Sequence, residues 1–373
     1  MSVRGGAARS PAPSSRPLRS RLVRLAAFTT AAALLMAACD RGTTGPDGEA
    51  EPVTLTLLTH DSFDVSRQVV EAFEQEQGVE LRILPVGDAG QLVNRAILSA
   101  GNPEGDVLFG LDNNLLATTL DAGVFTPYSS PRLDVVDDTV ELDPEHHVTP
   151  IDHGEVCLNV DRAWFVERGI APPEGLEQLV DPSYRDLTVV QNPATSTPGL
   201  AFLLATIAAF GEPGWERYWT QLRGNGVLVT DGWEGAYYGE FSGAGGGEGT
   251  RPIVVSYATS PVAEVVFAEQ PLEEPPTGVV EASCFRQIEF AGILAGSPHE
   301  AQARVLIDFL LSRTFQEDIP LRMFVYPVVD DAELPEAFDE HAVVIEEPLE
   351  LPAEQIAAGR EGWVERWTEL VLR

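Results

Sequence analysis

Three consecutive hydroxyl residues, Thr195, Ser196 and Thr197, stand directly before a long apolar run that begins at Pro198 and Gly199. The run predicts a buried helix, and proline is favoured in a first helical turn. One hydroxyl is enough to cap such a helix, because a single side-chain oxygen satisfies the first free amides. The remaining hydroxyls and amides can bind an oxygen atom of a ligand at the same place.

A carboxylate and a group of aromatic rings are further candidates for binding chemistry. Asp88, in "PVGDAG", stands at the first turn of a predicted helix, where its charge either suits the helix dipole or meets a cation in a cleft. Trp233 and Tyr237 are four residues apart, so one helical face carries both rings. They either pack in the core or form a wall for a flat or positively charged ligand. The adjacent Tyr237 and Tyr238 also resemble the paired phenolate ligands of exported ferric-ion binders.

The sequence contains no set of residues with convincing catalytic spacing. Its six histidines follow no metal-ligand pattern, and the Gly-rich stretch "SGAGGGEGT" lacks the spacing and the lysine of a phosphate-binding loop. HExxH, GxSxG and Walker motifs are all missing. We therefore expect a binding protein without a cofactor. An exported enzyme on the same scaffold is the less supported alternative, because a fold alone does not fix function.

Short strands alternate with amphipathic helices after residue 52. The pattern predicts strands over 53–59, 79–86 and 105–111, with helices over 65–78 and 89–102 between them. This order is typical of a parallel sheet covered by helices. A second α/β series begins near residue 150, and an extended segment over 278–296 is expected to return to the first half of the chain.

Five predicted strand-to-helix loops are rich in polar and aromatic residues: "THDSFD", "PVGDAG", "NPATSTPG", "TDGWEGAYYG" and "SYATSP". Ligands of open α/β sheets bind beyond the carboxyl ends of the strands, where helices begin. We therefore predict an α/β protein of two lobes, with the ligand in a cleft between them.

The charge balance is strongly acidic. Asp and Glu number 58 against 24 basic residues, all of them Arg, and the net charge is −34. Such a surface repels nucleic acid and anionic membranes and attracts cations. The alternative is a solubility or salt adaptation, and both explanations can hold together.

The first 38 residues are typical of an export signal, with six Arg residues ahead of an apolar stretch that is too short to span a bilayer. The stretch ends in "MAAC", which resembles a bacterial lipobox and implies cleavage before Cys39 and attachment of lipid to its sulfur. Ordinary cleavage beside an incidental cysteine is the alternative. Residues 39–52 are predicted to be a flexible tether, which would hold the protein at the outer face of the cell membrane.

Cys157 and Cys284 both lie in strand-like segments far apart in the chain. In an oxidising compartment they can form a disulfide, or both can remain buried thiols.

Taken together, the loop motifs resemble those of the thiamine-binding proteins of bacterial ABC importers. The matching pieces are "DSF", "GLDNNLL", "NPATSTPGL", "VTDGWEGAY", "VVSYATSP", "FQEDIP" with "YPV", and "EGWVERW". The resemblance implies a type II periplasmic-binding-protein fold that closes on thiamine or its phosphate esters and delivers the ligand to a membrane permease.

The resemblance also implies roles for single residues. Asp88 would contact the cationic part or amine of the ligand, and Ser196 its hydroxyl or phosphate end. Trp233 and Tyr257 would supply ring contacts, and the first loop would contribute His60, Asp61 and Ser62.

The chain departs from the family pattern at three positions. His60 stands where the family often has Tyr, Val262 where it often has an aromatic residue, and Phe324 is nearest to a usual Trp. Fewer rings would weaken binding or shift the preference among thiamine, its phosphates and its precursors.

The predicted lobes are 53–150 with 285–318, and 151–284 with 319–373. A ferric-iron binder that uses Tyr237 and Tyr238 is the alternative function.

Overall fold

One mixed sheet of ten strands runs through the computed structural model, which describes residues 52–244 and 249–373. The expected signal peptide, Cys39 and nearly all of the tether lie outside these residues. The strands are β1 (Val53–Thr59), β2 (Val79–Pro85), β3 (Val107–Asp112), β4 (Phe125–Thr126), β5 (Thr149–Asp161), β6 (Thr188–Gln191), β7 (Leu228–Thr230), β8 (Ile253–Tyr257), β9 (Thr277–Leu294) and β10 (Tyr326–Pro327).

Twelve α-helices cover this sheet in the described part of the chain. They are α1 (Arg67–Gln77), α2 (Ala89–Leu98), α3 (Leu116–Asp121), α4 (Arg162–Arg168), α5 (Thr197–Phe210), α6 (Gly214–Gly224), α7 (Ser260–Val266), α8 (Glu300–Leu310), α9 (Arg313–Gln316), α10 (Ile319–Arg322), α11 (Glu336–His341) and α12 (Ala353–Val371). Short 3-10 helices span Leu133–Val135, Leu176–Val180 and Pro182–Tyr184, and Gly235–Glu240 forms a π-helical turn.

The order of neighbouring strands is β2-β1-β3-β9-β5-β8-β6-β7, with β4 beside β9 and β10 beside β5. The two outer groups are parallel, as the alternation of strands and helices predicts. The long central strands β5 and β9 run antiparallel to each other and to their neighbours β8 and β3. The α/β class is therefore confirmed, and the sheet is mixed rather than parallel throughout.

Local sequence signals fix the ends of the helices that approach the site. Ser66 caps α1 by accepting a hydrogen bond from the Val69 amide, and Gly78 ends the helix in the left-handed region at φ 64°. Ser196 caps α5 in the same way by accepting from the Gly199 amide, with Pro198 in the first turn.

The helix α5 is the buried centre of the second half of the chain. Its residues from Thr197 to Ile207 are all buried, so this part of the helix has no solvent-facing side. Helices α6 and α12 extend this core, where the rings of Trp219 and Trp367 meet edge to face at 5.4 Å. The Trp219 indole N–H donates to the Thr206 hydroxyl at 2.9 Å, which satisfies both buried polar groups.

The strands β5 and β9 also carry the cysteine pair. Cys157 on β5 and Cys284 on β9 form a disulfide in the structure, and both residues are fully buried. The predicted lobe boundaries, at residues 150/151 and 284/285, fall inside these two strands. The division into lobes at those residues therefore remains a prediction. Among the described residues, no helix has both the length and the apolar character needed to cross a bilayer.

Candidate functional site

A cavity of about 430 Å³ opens where the five predicted loops meet. Its wall contains His60 to Asp64 from the first loop, Asp88 from the second, and Thr197 with Pro198 from the third. The fourth loop supplies Trp233, Glu234, Tyr237 and Tyr238, and the fifth supplies Tyr257 and Ser260. Loops from both halves of the chain therefore share one cavity.

His60 lies next to a buried carboxylate in the wall of the cavity. Its Nε2 lies 3.6 Å from Oε2 of Glu289 on β9, and its ring packs against Phe109. Burial opposes protonation of His60, but Glu289, helped by Asp88 and Asp61, raises its pKa above the ordinary value.

Asp88 joins the two halves of the chain across the cavity. Its Oδ2 accepts a hydrogen bond from the Trp233 amide at 2.9 Å, and its Oδ1 accepts one from the Thr197 amide at 3.3 Å. The Ser196 hydroxyl also favours the ionised form of this carboxylate. Burial raises the pKa of Asp88 to about 6, against these hydrogen bonds, which lower it.

The three hydroxyls before α5 have separate partners. Thr195 Oγ1 donates to the Asp231 carbonyl at 2.6 Å, which ties two loops together. Ser196 caps the helix and is 1% exposed. Thr197 Oγ1 accepts from Nε2 of Gln287 at 3.1 Å. Ser196 is not among the lining residues of the cavity, and Thr197 stands there in its place.

The Trp233 ring is held rigidly in the aromatic wall. Its indole N–H donates to the Ser256 hydroxyl at 2.9 Å, and its ring stacks on Tyr237 at 4.9 Å with the planes 14° apart. Ser256 in turn shares a hydrogen bond of 2.7 Å with Ser260. A ring fixed in this way loses little freedom when a ligand packs on it.

The two adjacent tyrosines have different environments. The Tyr237 side chain is 1% exposed, and its hydroxyl donates to Glu264 at 3.0 Å, whereas Tyr238 is 54% exposed. Burial, and then Glu264, raises the pKa of both hydroxyls above the ordinary value. Phenolate ligands need the opposite shift. Within residues 52–244 and 249–373, no cluster of three or more His, Cys, Asp or Glu side chains is arranged to hold a metal ion.

A buried hydrogen-bond network lies beneath the cavity. Tyr257 donates its hydroxyl to Oε1 of Gln287 at 2.9 Å, and Nε2 of Gln287 donates to Asp112 at 3.2 Å. Asp112 also accepts from the Asn114 and Leu115 amides, so the start of "DNNLL" is structural. Burial raises the pKa of Asp112 to about 7.

Phe324 lines the cavity in a left-handed backbone conformation, at φ 56°. Its ring packs against Phe267 at 5.4 Å and Phe338 at 6.4 Å. Val262, where the family often has an aromatic residue, is fully buried in the same cluster. Phe267, which is 69% exposed and lines the cavity, supplies a ring that the sequence did not indicate.

Of the eight residues predicted to bind ligand, seven lie along this cavity: His60, Asp61, Ser62, Asp88, Trp233, Tyr257 and Phe324. Their roles toward a ligand remain predictions. The structure adds Glu289 on β9 and Arg322 at the end of α10. The pattern "RQIEF" offered a signal for the first of these, because Gln287 and Glu289 are polar residues two apart and so share one face of the strand.

The chain is similar to known proteins in sequence and in structure. The family model described as bacterial extracellular solute-binding protein matches residues 102–345. The thiamine-binding periplasmic protein of Escherichia coli is 31% identical over 331 residues, which cover 87% of this chain and 95% of that protein. Its counterpart in Salmonella typhimurium is 30% identical with the same coverage. A solved periplasmic thiamin binding protein matches with a TM-score of 0.75 and 29% identity, over 87% of this chain and 98% of that one.

Proposed function

The chain belongs to the bacterial extracellular solute-binding proteins, and we propose that within this family it captures thiamine, or a phosphate ester of thiamine, for an ABC importer. In this proposal the protein performs no covalent chemistry. It binds the ligand outside the cytoplasm, its two halves close on it, and it delivers the ligand to the permease subunit.

The composition of the cavity carries the proposal. Thiamine joins a flat pyrimidine to a thiazolium ring with a permanent positive charge. The rings of Trp233 and Tyr257 offer flat contact surfaces, and the carboxylates of Asp88 and Glu289 offer opposite charge. The names of the similar proteins from Escherichia coli and Salmonella typhimurium support the same ligand.

Isothermal titration of the protein lacking residues 1–39 tests the proposal. We expect saturable heat with micromolar thiamine and a rise in melting temperature. No heat and no thermal shift would rule thiamine out. Mass spectrometry of ligand that co-purifies with the protein is an independent readout.

Two tryptophan variants locate the site. Trp233→Ala removes a ring from the cavity wall and is expected to weaken thiamine binding by about tenfold or more. Trp164→Ala removes a partly buried ring that stacks under Arg168 outside the cavity, and it should leave affinity within about twofold. Equal losses in both variants would contradict this location.

Ferric iron as the ligand receives less support. The Tyr237 hydroxyl is buried and already bonded to Glu264, so it would have to break that bond and ionise to reach a metal. An absorption band in the visible range on addition of ferric citrate, removed by Tyr238→Phe, would favour iron.

Lipid attachment at Cys39 is a further part of the proposal, supported by the lipobox-like "MAAC". We expect the full-length protein to fractionate with membranes and to carry labelled fatty acid. Cys39→Ser should release it into the soluble exported fraction. Label retained on the Cys39→Ser protein would contradict the assignment.

A further inference from the structure

A second cavity, of about 340 Å³, lies beside residues 326–330, and we call it the β10 cavity. His153 on β5 and Arg286 on β9, both half-buried, also line it. Side chains alternate along a strand, so Arg286 lies on the opposite face of β9 from Glu289, which lines the cavity of the strand-end loops. Among the described residues, the two cavities share no lining residue.

Arg286 supplies the positive charge of the β10 cavity. Its Nε lies 2.8 Å from Oε1 of Glu155, whose side chain is 5% exposed, whereas the Arg286 side chain is 38% exposed. In the described part of the chain, no other carboxylate pairs with this guanidinium. Because a guanidinium carries five N–H donors, its terminal nitrogens remain able to bind a second carboxylate.

Two neutral polar rings lie in the same wall as this cation. The rings of His153 and Tyr326 stack at 5.4 Å with their planes 22° apart. Burial lowers the pKa of His153 to about 4 and raises the pKa of Tyr326 to about 12, so both side chains are neutral at pH 7. The Nδ1 of His153 and the hydroxyl of Tyr326 are buried and have no hydrogen-bond partner among the described residues. A polar ligand beside them reduces this deficit.

Negative charge lies at the solvent side of the β10 cavity. Asp137 and Asp330 are exposed lining residues, and neither forms an ion pair with another described residue. The Asp137 charge reaches His153, since it opposes the fall in the pKa of that ring. Val140 and Leu334 give the lining an apolar part. The cavity therefore suits a molecule with a negative group, a positive group and a short apolar body.

We propose that the β10 cavity binds a small zwitterion, an apolar amino acid, with its carboxylate on Arg286 and its ammonium group toward Asp137. A guanidinium can hold a carboxylate through two parallel hydrogen bonds, which fixes the orientation of the ligand. The volume of about 340 Å³ is within the range of about 300–1,000 Å³ that is typical of small-molecule sites. This site goes beyond the proposed function and does not depend on it.

Titration calorimetry of the wild-type protein compares three molecules that share one apolar body. They are L-leucine, 4-methylpentanoate, which lacks the ammonium group, and 3-methylbutylamine, which lacks the carboxylate. We expect saturable binding of L-leucine, and a Kd about tenfold or more higher for each of the other two. Absence of L-leucine binding, or equal Kd values for the three molecules, would overturn the proposal.

Binding in the presence of saturating thiamine separates the two cavities. The Kd of L-leucine should stay within about twofold of its value without thiamine, because no lining residue is shared. Trp233→Ala, which alters only the cavity of the strand-end loops, should also leave that Kd unchanged. Competition by thiamine, or loss of L-leucine binding in Trp233→Ala, would place the amino acid in the other cavity and overturn the site.

Two exposed carboxylates provide a matched pair of variants. Asp137→Asn removes the partner of the ammonium group but keeps an oxygen that can accept from the Thr139 amide, as Oδ1 of Asp137 does at 2.8 Å. It is expected to raise the Kd of L-leucine by about fivefold and to leave that of 4-methylpentanoate unchanged. Asp138→Asn, at an exposed neighbour that does not line the cavity, should change neither. Equal effects of the two variants would contradict the role of Asp137.

Arg286→Gln removes the partner of the carboxylate. We expect the Kd of L-leucine to rise by about tenfold or more, and that of 3-methylbutylamine to stay within about twofold. Melting curves check the fold of this variant, because it leaves the buried Glu155 without its cation. Wild-type affinity for L-leucine in folded Arg286→Gln would overturn the proposal. Asp137→Asn tests the same site without disturbing a buried charge.

Discussion

The Asp88 carboxylate accepts a hydrogen bond of 2.9 Å from the backbone amide of Trp233, a residue 145 positions further along the chain. Asp88 directly precedes α2 in the first half of the chain, and Trp233 follows β7 in the second. The bond therefore ties the loop before α2 to the loop after β7 at the wall of the cavity. A change at this junction should alter ligand binding more than it alters the stability of the hydrophobic core.

Gly90, in the first turn of α2, lies very close to the backbone of the loop before α5. A Cβ atom placed there would lie 2.6 Å from the Thr195 carbonyl oxygen, which is backbone and cannot turn aside. Gly90→Ala is therefore expected to push α2 away from the loop before α5 and to weaken thiamine binding by about tenfold. Calorimetry measures the affinity and a thermal melt without ligand measures the stability.

Gly224→Ala is the matched control, because nothing lies within 4 Å of the Cβ that it would add at the end of α6. Its affinity should equal that of the wild type. Unchanged thiamine affinity in Gly90→Ala would show that this approach does not control binding.

The affinity for thiamine should fall as the pH falls through 6. The pKa of Asp88 is raised to about 6, so its carboxylate is ionised at pH 7.5 and mostly neutral at pH 5.5. A cation binds the ionised form, so Kd is expected to rise by about fourfold between these pH values. Protonation of His60, whose pKa is also raised, acts in the same direction.

Titrations at several pH values measure this dependence. Asp88→Asn should flatten it, leaving only the part that His60 contributes. A Kd that stays constant or decreases toward pH 5.5 in the wild-type protein would contradict the assignment of Asp88 as a contact for the cation.

The sequence was informative wherever function depends on local signals. The five loops were predictable because each follows a strand and precedes a helix, and two of those helices begin at a serine cap, Ser66 or Ser196. Gln287 and Glu289 lie within the long strand β9 and not in a loop between a strand and a helix. The sequence analysis therefore did not place them at the site, although their spacing puts both on one face of the strand. Arg322 and Phe267 could not be placed, because only tertiary packing brings them to the cavity.

The role of Ser196 shows a second limit. A hydroxyl at a helix start predicts a cap and, equally, a ligand contact. Which of these two roles Ser196 has depends on Asp88. This residue comes from a distant segment of the chain, and its carboxylate lies at the start of α5. No pattern within "NPATSTPG" contains that information.

The disulfide between Cys157 and Cys284 is expected to contribute strongly to stability. It closes a segment with a sequence separation of 127 residues and joins the two central strands. The chain-entropy model gives about 4–5 kcal/mol for a loop of this size. Denaturant titration should therefore show a lower free energy of unfolding for the Cys157→Ala/Cys284→Ala variant.

The effect of a reductant on the wild-type protein can be compared with its effect on the double variant. It should lower the unfolding midpoint of the wild-type protein and leave the double variant unchanged. A wild-type midpoint that is insensitive to reductant would contradict the proposed contribution.

Gln316 explains why "FQEDIP" and "YPV" occur together in this chain. Its side chain is fully buried, and Nε2 donates to the Ile151 and Leu310 carbonyls at 2.9 and 2.8 Å. Its Oε1 accepts from the Val328 amide at 2.9 Å and the Val329 amide at 3.3 Å. One amide group therefore fastens the segment after β10 to β5 and to the end of α8.

Gln316→Ala leaves these four backbone groups without their partner in a buried place. We expect a loss of about 2–4 kcal/mol in the free energy of unfolding, measured by denaturant titration. Gln75→Ala, at an exposed position on α1, should change it by less than about 0.5 kcal/mol. Because Phe324 and Val325 precede the fastened segment, thiamine affinity should fall as well in Gln316→Ala. Wild-type stability in Gln316→Ala would mean that packing alone holds this segment.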